Sequence, residues 1–342
     1  MKIVIATPLY PPDLGGPAKY AKSLHEEFLR LGHKAPVVAY GVTERTLPPG
    51  LRHAWYFLRL LWRMPLANAV LALDTWSVGA PALWASRLCG KKLLVRIGGD
   101  PLWESYVERT GELVKLSEFY SQPRDLSKKE RYMRHVAERL GRYAVLAFTT
   151  TWQKGLWTRA YGLSAERTAI VENAYPARQP AVPWSNKVFV AAGRDIKLKN
   201  MSVLRQAFAR VKERHPDIAL DTDTLEPAAQ AERLARCYAV VVPSISEVNP
   251  NTLAEAVAYG KPFIAPKDTG ASERLAGAGL FVDTTNIQAL EEAIESLLKT
   301  EAYEQYAVAA GALPLVREWP EVARGYLALL SGGDNKSGPY AA

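Results

Sequence analysis

The chain has 342 residues, 48% of them hydrophobic and 23% charged, the balance of a globular protein with room for two domains of ordinary size. No apolar run approaches the roughly 20 residues of a membrane-spanning helix. The run that opens MKIVIATPLYPP stops at Pro8 without a cleavage site, and the two cysteines, Cys89 and Cys237, lie far apart; together these predict a cytoplasmic protein without a disulfide framework. Lys and Arg number 43 against 35 Asp and Glu, a net charge of +8 that favours an anionic partner such as phosphate, nucleic acid or an acidic membrane surface. A nucleic-acid role is set aside because no recognition motif accompanies the basic residues. A P-loop is excluded by the missing Gly-x-x-x-x-Gly-Lys pattern, and no metal is expected because His25, His33, His53, His135 and His215 show no ligand spacing.

The first 40 residues read as strand, glycine loop, helix and strand, a βαβ opening. Gly15 and Gly16 permit close backbone approach and Pro17 suits a first helical position, so this loop can aim free N–H groups at a phosphate; the plainer alternative is a tight turn kept for packing. Further units follow: a helix near 51–64, the strand AVLALD, a helix near 79–89, the strand KLLVRIGG, a polar stretch to about 125, a helix near 126–142 and the strand AVLAFTT. Alternating strands and helices imply a mostly parallel sheet covered on both faces, with ligands at the carboxyl ends of its strands. Asp100, after Gly98 and Gly99, stands at such an end, placed either to reach a sugar hydroxyl or to cap a turn. In the helix near 51–64, Leu51, Trp55, Leu58 and Trp62 share one face, flanked by Arg52, Arg59 and Arg63. That stripe suits either an anionic membrane surface or the core, and residues 128–142 form a second basic helix.

The Pro-rich segment at 174–186 reads as a linker and hinge. Beyond it a second βα series runs KVFVAAG, a helix near 200–214, IALDTDT, a helix near 227–238, VVVPS, a helix in NTLAEAVAYG, PFIAP, LFVD and a helix in TNIQALEEAIESLLKT. Its most informative stretch, residues 243–273, sets Glu247 before a helix and Glu255 on that helix's first turns. A start near Asn251 or Thr252 and a stop at Gly260 follow from the turn and cap residues. Free backbone N–H groups at Asn251, Thr252 and Leu253 would lie between the carboxylates and favour an anion, an order that suits a sugar, a diphosphate and a ribose in a row. Taken singly, each Glu reads as a solvated surface residue. Upstream, GRDIKLKN places Gly193, Arg194, Lys197 and Lys199 after the first strand of this half. Asp221 and Asp223 imitate a metal-binding Asp-x-Asp, without the surroundings such a motif needs.

The 243–273 stretch resembles the Glu-x7-Glu signature of the retaining glycosyltransferases of family four, and Gly193, Arg194 and Lys199 resemble that family's Gly-Arg…Lys element. The resemblance implies an α/β protein of GT-B type, with two facing Rossmann-like domains at 1–175 and 187–315 and a crossover helix at 316–330 returning to the first domain; the terminal SGGDNKSGPYAA, 331–342, reads by composition as a disordered tail. It implies that Glu247 contacts the donor sugar, that Glu255 contacts the ribose, and that Arg194 and Lys199, with Lys197 as an alternative, stabilise the charge of the leaving diphosphate. Gly15 and Gly16 would lie beside the diphosphate, and Asp100 near the reacting sugar. ThrGlyAlaSerGlu at 269–273 resembles a Gly-Gly-x-x-Glu turn, making Gly270 and Glu273 secondary candidates. The implied reaction is metal-independent, retaining transfer of a hexose from a UDP- or GDP-linked sugar to a glycan or lipid-linked acceptor, in cell-surface polysaccharide or glycolipid assembly and without a cofactor. The nucleobase region between IALDTDT and VVVPS is shorter than the family's. An inactive sugar-nucleotide-binding subunit and a nucleotide-sugar epimerase of the same fold are the alternatives.

Overall fold

A computed structural model of the chain describes residues 1–331 except 14, 181 and 192–195, with no side chain described for Pro227. Gly193, Arg194 and the tail from 332 onward therefore lie outside the described residues. The first half runs β1 (Ile3–Thr7), α1 (Gly16–Arg30), β2 (Val37–Ala39), α2 (Val42–Thr46), α3 (Pro49–Leu61), β3 (Ala69–Ala72), α4 (Gly79–Leu88), β4 (Lys92–Ile97), α5 (Pro101–Thr110), α6 (Leu116–Phe119), α7 (Lys128–Tyr143), β5 (Val145–Phe148), α8 (Thr151–Tyr161) and β6 (Thr168–Ile170). The second runs β7 (Lys187–Val190), α9 (Met201–Arg214), β8 (Ile218–Asp221), α10 (Pro227–Arg236), β9 (Ala239–Val241), α11 (Asn251–Ala258), β10 (Phe263–Pro266), β11 (Gly279–Val282), α12 (Ile287–Leu298), α13 (Thr300–Ala312) and α14 (Trp319–Ser331).

β1 (IVIAT) and β3 (AVLA) are buried at every position, as unbroken apolar runs must be when helices cover both faces of a parallel sheet. The first sheet has the order β2-β1-β3-β4-β5-β6 and the second β11-β10-β9-β7-β8, every pair parallel. On one face of the first sheet, Tyr56 and Leu60 of α3, Ala82 and Leu83 of α4, and Val136 and Leu140 of α7 pack on Val70, Val95 and Leu146. On the other, Leu24 and Phe28 of α1 meet Val322, Ala323 and Tyr326 of α14. The closing helix thus belongs to the first sheet, tied there by the Tyr20–Tyr326 hydroxyl pair (2.8 Å) and by Lys92 Nζ donating to the Leu330 carbonyl (3.0 Å). Around the second sheet, α9 and α12 cover one face and α11 contributes to the core on the other.

Local signals account for several helix ends. Ser127 accepts from Glu130 N and the Glu130 carboxylate accepts from Ser127 N, a reciprocal box that starts α7. α8 and β6 were not anticipated, although Thr150 caps the Gln153 N–H and Gly162 closes α8 in the left-handed region at φ 60°.

The chain divides into two compact units, 1–102 with 125–174 and 317–331, and 103–124 with 175–316. One expectation is corrected. Residues 103–124, read as a polar part of the first domain, carry α6 and most of α5 and belong to the second unit, because their polar groups bond there: Leu116 N donates to Ser246 Oγ (2.9 Å) and Lys115 Nζ to Asp283 Oδ2 (2.6 Å). The chain passes from the first unit to the second at 174/175, inside the Pro-rich stretch, and the rest of that stretch is bonded to the second unit: Arg178 donates to the carbonyls of Val257, Ala310 and Leu313 and Gln179 N to that of Ala258.

Gly79 opens α4 so close to the Asp74 backbone that a Cβ there would overlap the Asp74 carbonyl oxygen. Gly79→Ala is expected to lower unfolding stability by about 1–3 kcal/mol, measured by urea denaturation.

Candidate functional site

In the second sheet, the strand order reverses between β7 and β9, which lie side by side with β8 outside one and β10 outside the other. A reversal of this kind opens a crevice at the carboxyl ends of the two central strands. The loop after β7 carries Lys199 and the loop after β9 carries Glu247. Lys199 Nζ donates to Glu247 Oε1 at 2.5 Å, and Ser244 Oγ donates to the same oxygen at 2.6 Å. The two strongest charged candidates, 48 residues apart in sequence, thus meet where the topology places a ligand.

Neutral bonds hold this pair in place. Asn200, in the left-handed region at φ 50°, donates from Nδ2 to the Thr284 carbonyl (2.7 Å), and Thr284 Oγ1 donates to the Ser244 carbonyl (2.7 Å). The loop after β11 is thereby joined to those after β7 and β9. Glu247 N donates to the Asp268 carbonyl (3.1 Å) and Gly270 N to the Glu247 carbonyl (3.1 Å), joining the loop after β10 as well. Gly270 therefore supports Glu247 through its backbone. Glu273 is exposed in the turn that follows.

α11 begins at Asn251, with Pro250 as its N-cap and no side chain capping it, and ends before Gly260 at φ 65°. Glu255 is half-buried on this helix and Asn251 is exposed at its start. One expectation is corrected here: the Leu253 N–H donates to the Pro250 carbonyl at 3.1 Å, because the first turn closes on itself, and is not free for an anion.

Lys197 has a different task from the one expected. Its Nζ donates to the Glu108 carbonyl (2.9 Å), while the Glu108 carboxylate accepts from Lys197 N (3.3 Å) and Leu198 N (3.0 Å). The end of α5 thus clamps the turn that carries Lys199. Nearby, Ser246 Oγ donates to Asp268 Oδ2 (2.5 Å), which also accepts from Ser117 N (3.2 Å). Glu108, Lys115, Ser246, Asp268 and Asp283 escaped sequence reasoning. Ser246 adjoins Glu247 and was within reach of it, whereas nothing local links Glu108 to a turn 90 residues away. The hydrogen bond to Asp283 raises the Lys115 pKa; for Asp283, burial pushes upward but the bonds from Lys115 and Thr285 outweigh it and hold the carboxyl below its usual range.

The remaining candidates belong to the first unit. There the order reverses between β1 and β3, and the loop after β1 ends in Gly15, at φ 116°, a conformation that requires glycine. Gly16 opens α1, whose N-terminus has no side-chain cap and no acidic residue in its first turn, the charge pattern of an anion-binding helix end. Asp100 is buried, accepting from Trp157 Nε1 at 2.9 Å, and it lines a small cavity with Thr75, Trp76, Met133 and Tyr161. Asp221, the decoy, pairs with Arg233 at 2.7 Å, and among the described residues no group of three His, Cys, Asp or Glu could hold a metal.

Two outcomes follow from the clamp. Glu108→Ala, which removes both acceptors of the Lys199 turn, should cost about 1 kcal/mol and speed amide exchange at 196–200, with Glu108→Gln intermediate. The Lys115–Asp283 pair should hold α6 most firmly between about pH 4 and pH 10. The depressed Asp283 contributes above the ordinary carboxylate value and its contribution is lost as pH falls through the folded value; that of the raised Lys115 is lost as pH rises through its own. Hydrogen exchange of residues 112–120 against pH should show acid loosening, which Asp283→Asn replaces with looseness at every pH.

Residues 225–312 match the family model described as glycosyl transferases group 1, a segment that includes α11 with Glu247 and Glu255. No curated protein sequence matches the chain. Among solved structures, sucrose-phosphate synthase from Thermosynechococcus elongatus is similar at a TM-score of 0.73 and 12% identity, over 97% of this chain and 99% of that one. Anabaena HepE, solved in complex with UDP-glucose, follows at 0.69 and 16%, over 97% and 100%. WaaG, a glycosyltransferase involved in lipopolysaccharide biosynthesis, gives 0.67 and 14%, again over 97% and 100%. At these identities what is shared is the fold, two Rossmann-like α/β units of GT-B type.

Proposed function

We propose that the protein is a glycosyltransferase that moves a hexose from a nucleotide diphosphate sugar to a glycan or lipid-linked acceptor with retention of configuration. The observation that carries this reading is the meeting of Lys199 and Glu247 at the β7/β9 reversal, with α11 and Glu255 directly downstream. The match of residues 225–312 to glycosyl transferases group 1 supports it. The neighbour solved with UDP-glucose makes a uridine donor the first to test.

In this reading Glu255 accepts hydrogen bonds from the ribose hydroxyls and Glu247 from hydroxyls of the donor sugar. Lys199, together with Arg194, sits on the diphosphate, so the positive charge that the leaving group needs comes from side chains and no metal ion or cofactor is required. As the bond from the sugar C1 to the phosphate oxygen breaks, its electron pair goes to the diphosphate, and a fixed cation stabilises that charge where it grows. The acceptor hydroxyl oxygen forms the new bond to C1 on the same face, and its proton passes to the departing phosphate oxygen. Lys199 is held ready by Glu247 and by the Glu108 clamp, and the bond to Glu247 orients both groups before the donor arrives. In the first unit, Gly15 and Gly16 with the uncapped start of α1 suit a phosphate, and Asp100 and Trp157 line a cavity of that unit. The free thiols Cys89 and Cys237 suit a reducing cytoplasmic setting, and the assembly of cell-surface polysaccharide or glycolipid is the process that fits such an acceptor.

Calorimetric titration with UDP, GDP and ADP tests the donor site. One nucleotide should bind selectively, about 10–100-fold more weakly in Glu255→Ala, while Lys199→Ala should lower the turnover of the matching sugar nucleotide about 100–1000-fold. Absence of binding by all three nucleotides would overturn the reading, and selective binding without turnover would favour an inactive sugar-nucleotide-binding subunit.

A further inference from the structure

α3 turns its inner side, Tyr56 and Leu60, to the core of the first unit, yet its outer side is also apolar. Leu51 is 60% exposed and Trp62, at the helix end, 89%; Trp55 and Leu58 lie between them, and Leu66, 76% exposed, extends the row past the helix. Positions 51, 55, 58 and 62 recur at the spacing of one helical face. The stripe that sequence alone left between core and surface is therefore a surface feature. A row of large apolar residues with no cover costs solubility unless something binds it.

The surroundings of the stripe identify its partner. Between residues 47 and 99 the only acidic residue is Asp74, against Arg52, Arg63 and Arg87 on and beside α3 and α4; Arg59 is paired with Glu44, and Lys92 and Arg96 bond Leu330 and Asn173 on the other side of the sheet. Asp74 itself is spent on Ser77 and on the Val78 N–H. α4 lies beside α3 and α7 beside α4, and the outer side of α7 is exposed at Lys128, Lys129, Arg131, Arg134 and Arg142. Its two acids are neutralised, Glu130 buried in the helix cap and Glu138 paired with Arg134. Aromatic rings connect the three helices: Trp76 packs edge-on against His53 of α3 and Tyr132 of α7, and the Arg87 guanidinium of α4 lies 3.8 Å from the centre of the Tyr143 ring.

We infer that the outer surface of α3, α4 and α7 docks on an anionic lipid bilayer, with Leu58, Trp62 and Leu66 entering the headgroup boundary and the cations of α7 on lipid phosphates. Trp and Leu beside Arg and Lys, with no exposed unpaired acid on these helices, is the composition of an interfacial helix surface. A second copy of the chain is the poorer occupant, because a two-fold contact sets a patch against itself and would oppose cation to cation. The inference does not depend on the transfer chemistry proposed above.

Vesicle flotation of the full chain, without nucleotide, tests it. The protein should float with vesicles of phosphatidylcholine containing about one-third phosphatidylglycerol and stay behind with phosphatidylcholine alone, and raising salt from about 0.1 M to about 0.5 M should weaken the binding. Leu58→Ser with Trp62→Ser should lower partitioning about tenfold, and Arg131→Glu with Arg134→Glu should remove the preference for anionic lipid. All four positions are exposed, so thermal unfolding should match the wild type. Wild-type protein that ignores anionic vesicles at low salt, or variants that bind as well as wild type, would overturn the inference. So would a dimer in solution that Trp62→Ser converts to monomer, since the stripe would then belong to a second copy. Each result is read without nucleotide or turnover, so it stands apart from the outcome of the nucleotide titration.

Discussion

Two strands that run side by side while their chain connections depart in opposite directions leave a gap at their carboxyl ends, and in the second unit that gap lies between β7 and β9. The loops after β7 and β9 have no helix between them to pack on, so they must satisfy each other's polar groups. Lys199 and Glu247 do so across the gap, and the loops after β10 and β11 join them through Gly270, Asn200 and Thr284. The gap is thereby lined by a cation and a carboxylate whose supporting loops are joined to one sheet.

Magnitudes separate what holds this region from what acts in it. Lys199 and Glu247 keep 31% and 16% of their side chains exposed, and a partly solvated ion pair contributes about 0–1 kcal/mol. The pair is therefore a weak staple, and exchanging it for ligand contacts costs little stability. The neutral bonds from Asn200 and Thr284 are buried, and leaving either partner unsatisfied would cost about 1–3 kcal/mol. Stability thus resides in the neutral frame, and the charged groups are available for chemistry. The α5–α6 segment adds to that frame from a distant part of the chain, with Glu108 capping the turn before Lys199 and Lys115 anchored on Asp283.

A division of labour also appears within α3. Its inner residues belong to the largest cluster of the first unit, while Leu51, Leu58 and Trp62 contribute nothing to that core. Apolar content by itself does not distinguish two such sides of one helix, because both obey the same periodicity. Only the position of β1, β3 and β4 beneath the helix decides which side is inside.

Every strand of the two sheets except β6 was legible in the sequence because parallel strands buried on two faces leave unbroken apolar runs, and helix ends were legible where Ser127 or Gly260 mark them by local chemistry. The meeting of Lys199 and Glu247 was legible through their positions just after strands, which a parallel sheet brings to one edge. The residues that pin them were not. Glu108, Ser246, Asp268 and Asp283 act across 22 to 168 residues, and hydrogen bonds between distant loops leave no periodicity for a sequence to display. By itself, then, the sequence determined most of the strands and helices in their order, the parallel sheets and the charged residues at their edges, since these follow from local propensity and burial pattern. Only the tertiary structure decided that 103–124 joins the second unit, that Lys197 serves the frame while Lys199 faces Glu247, and that the stripe of α3 looks outward, because each depends on which surfaces come to lie against one another.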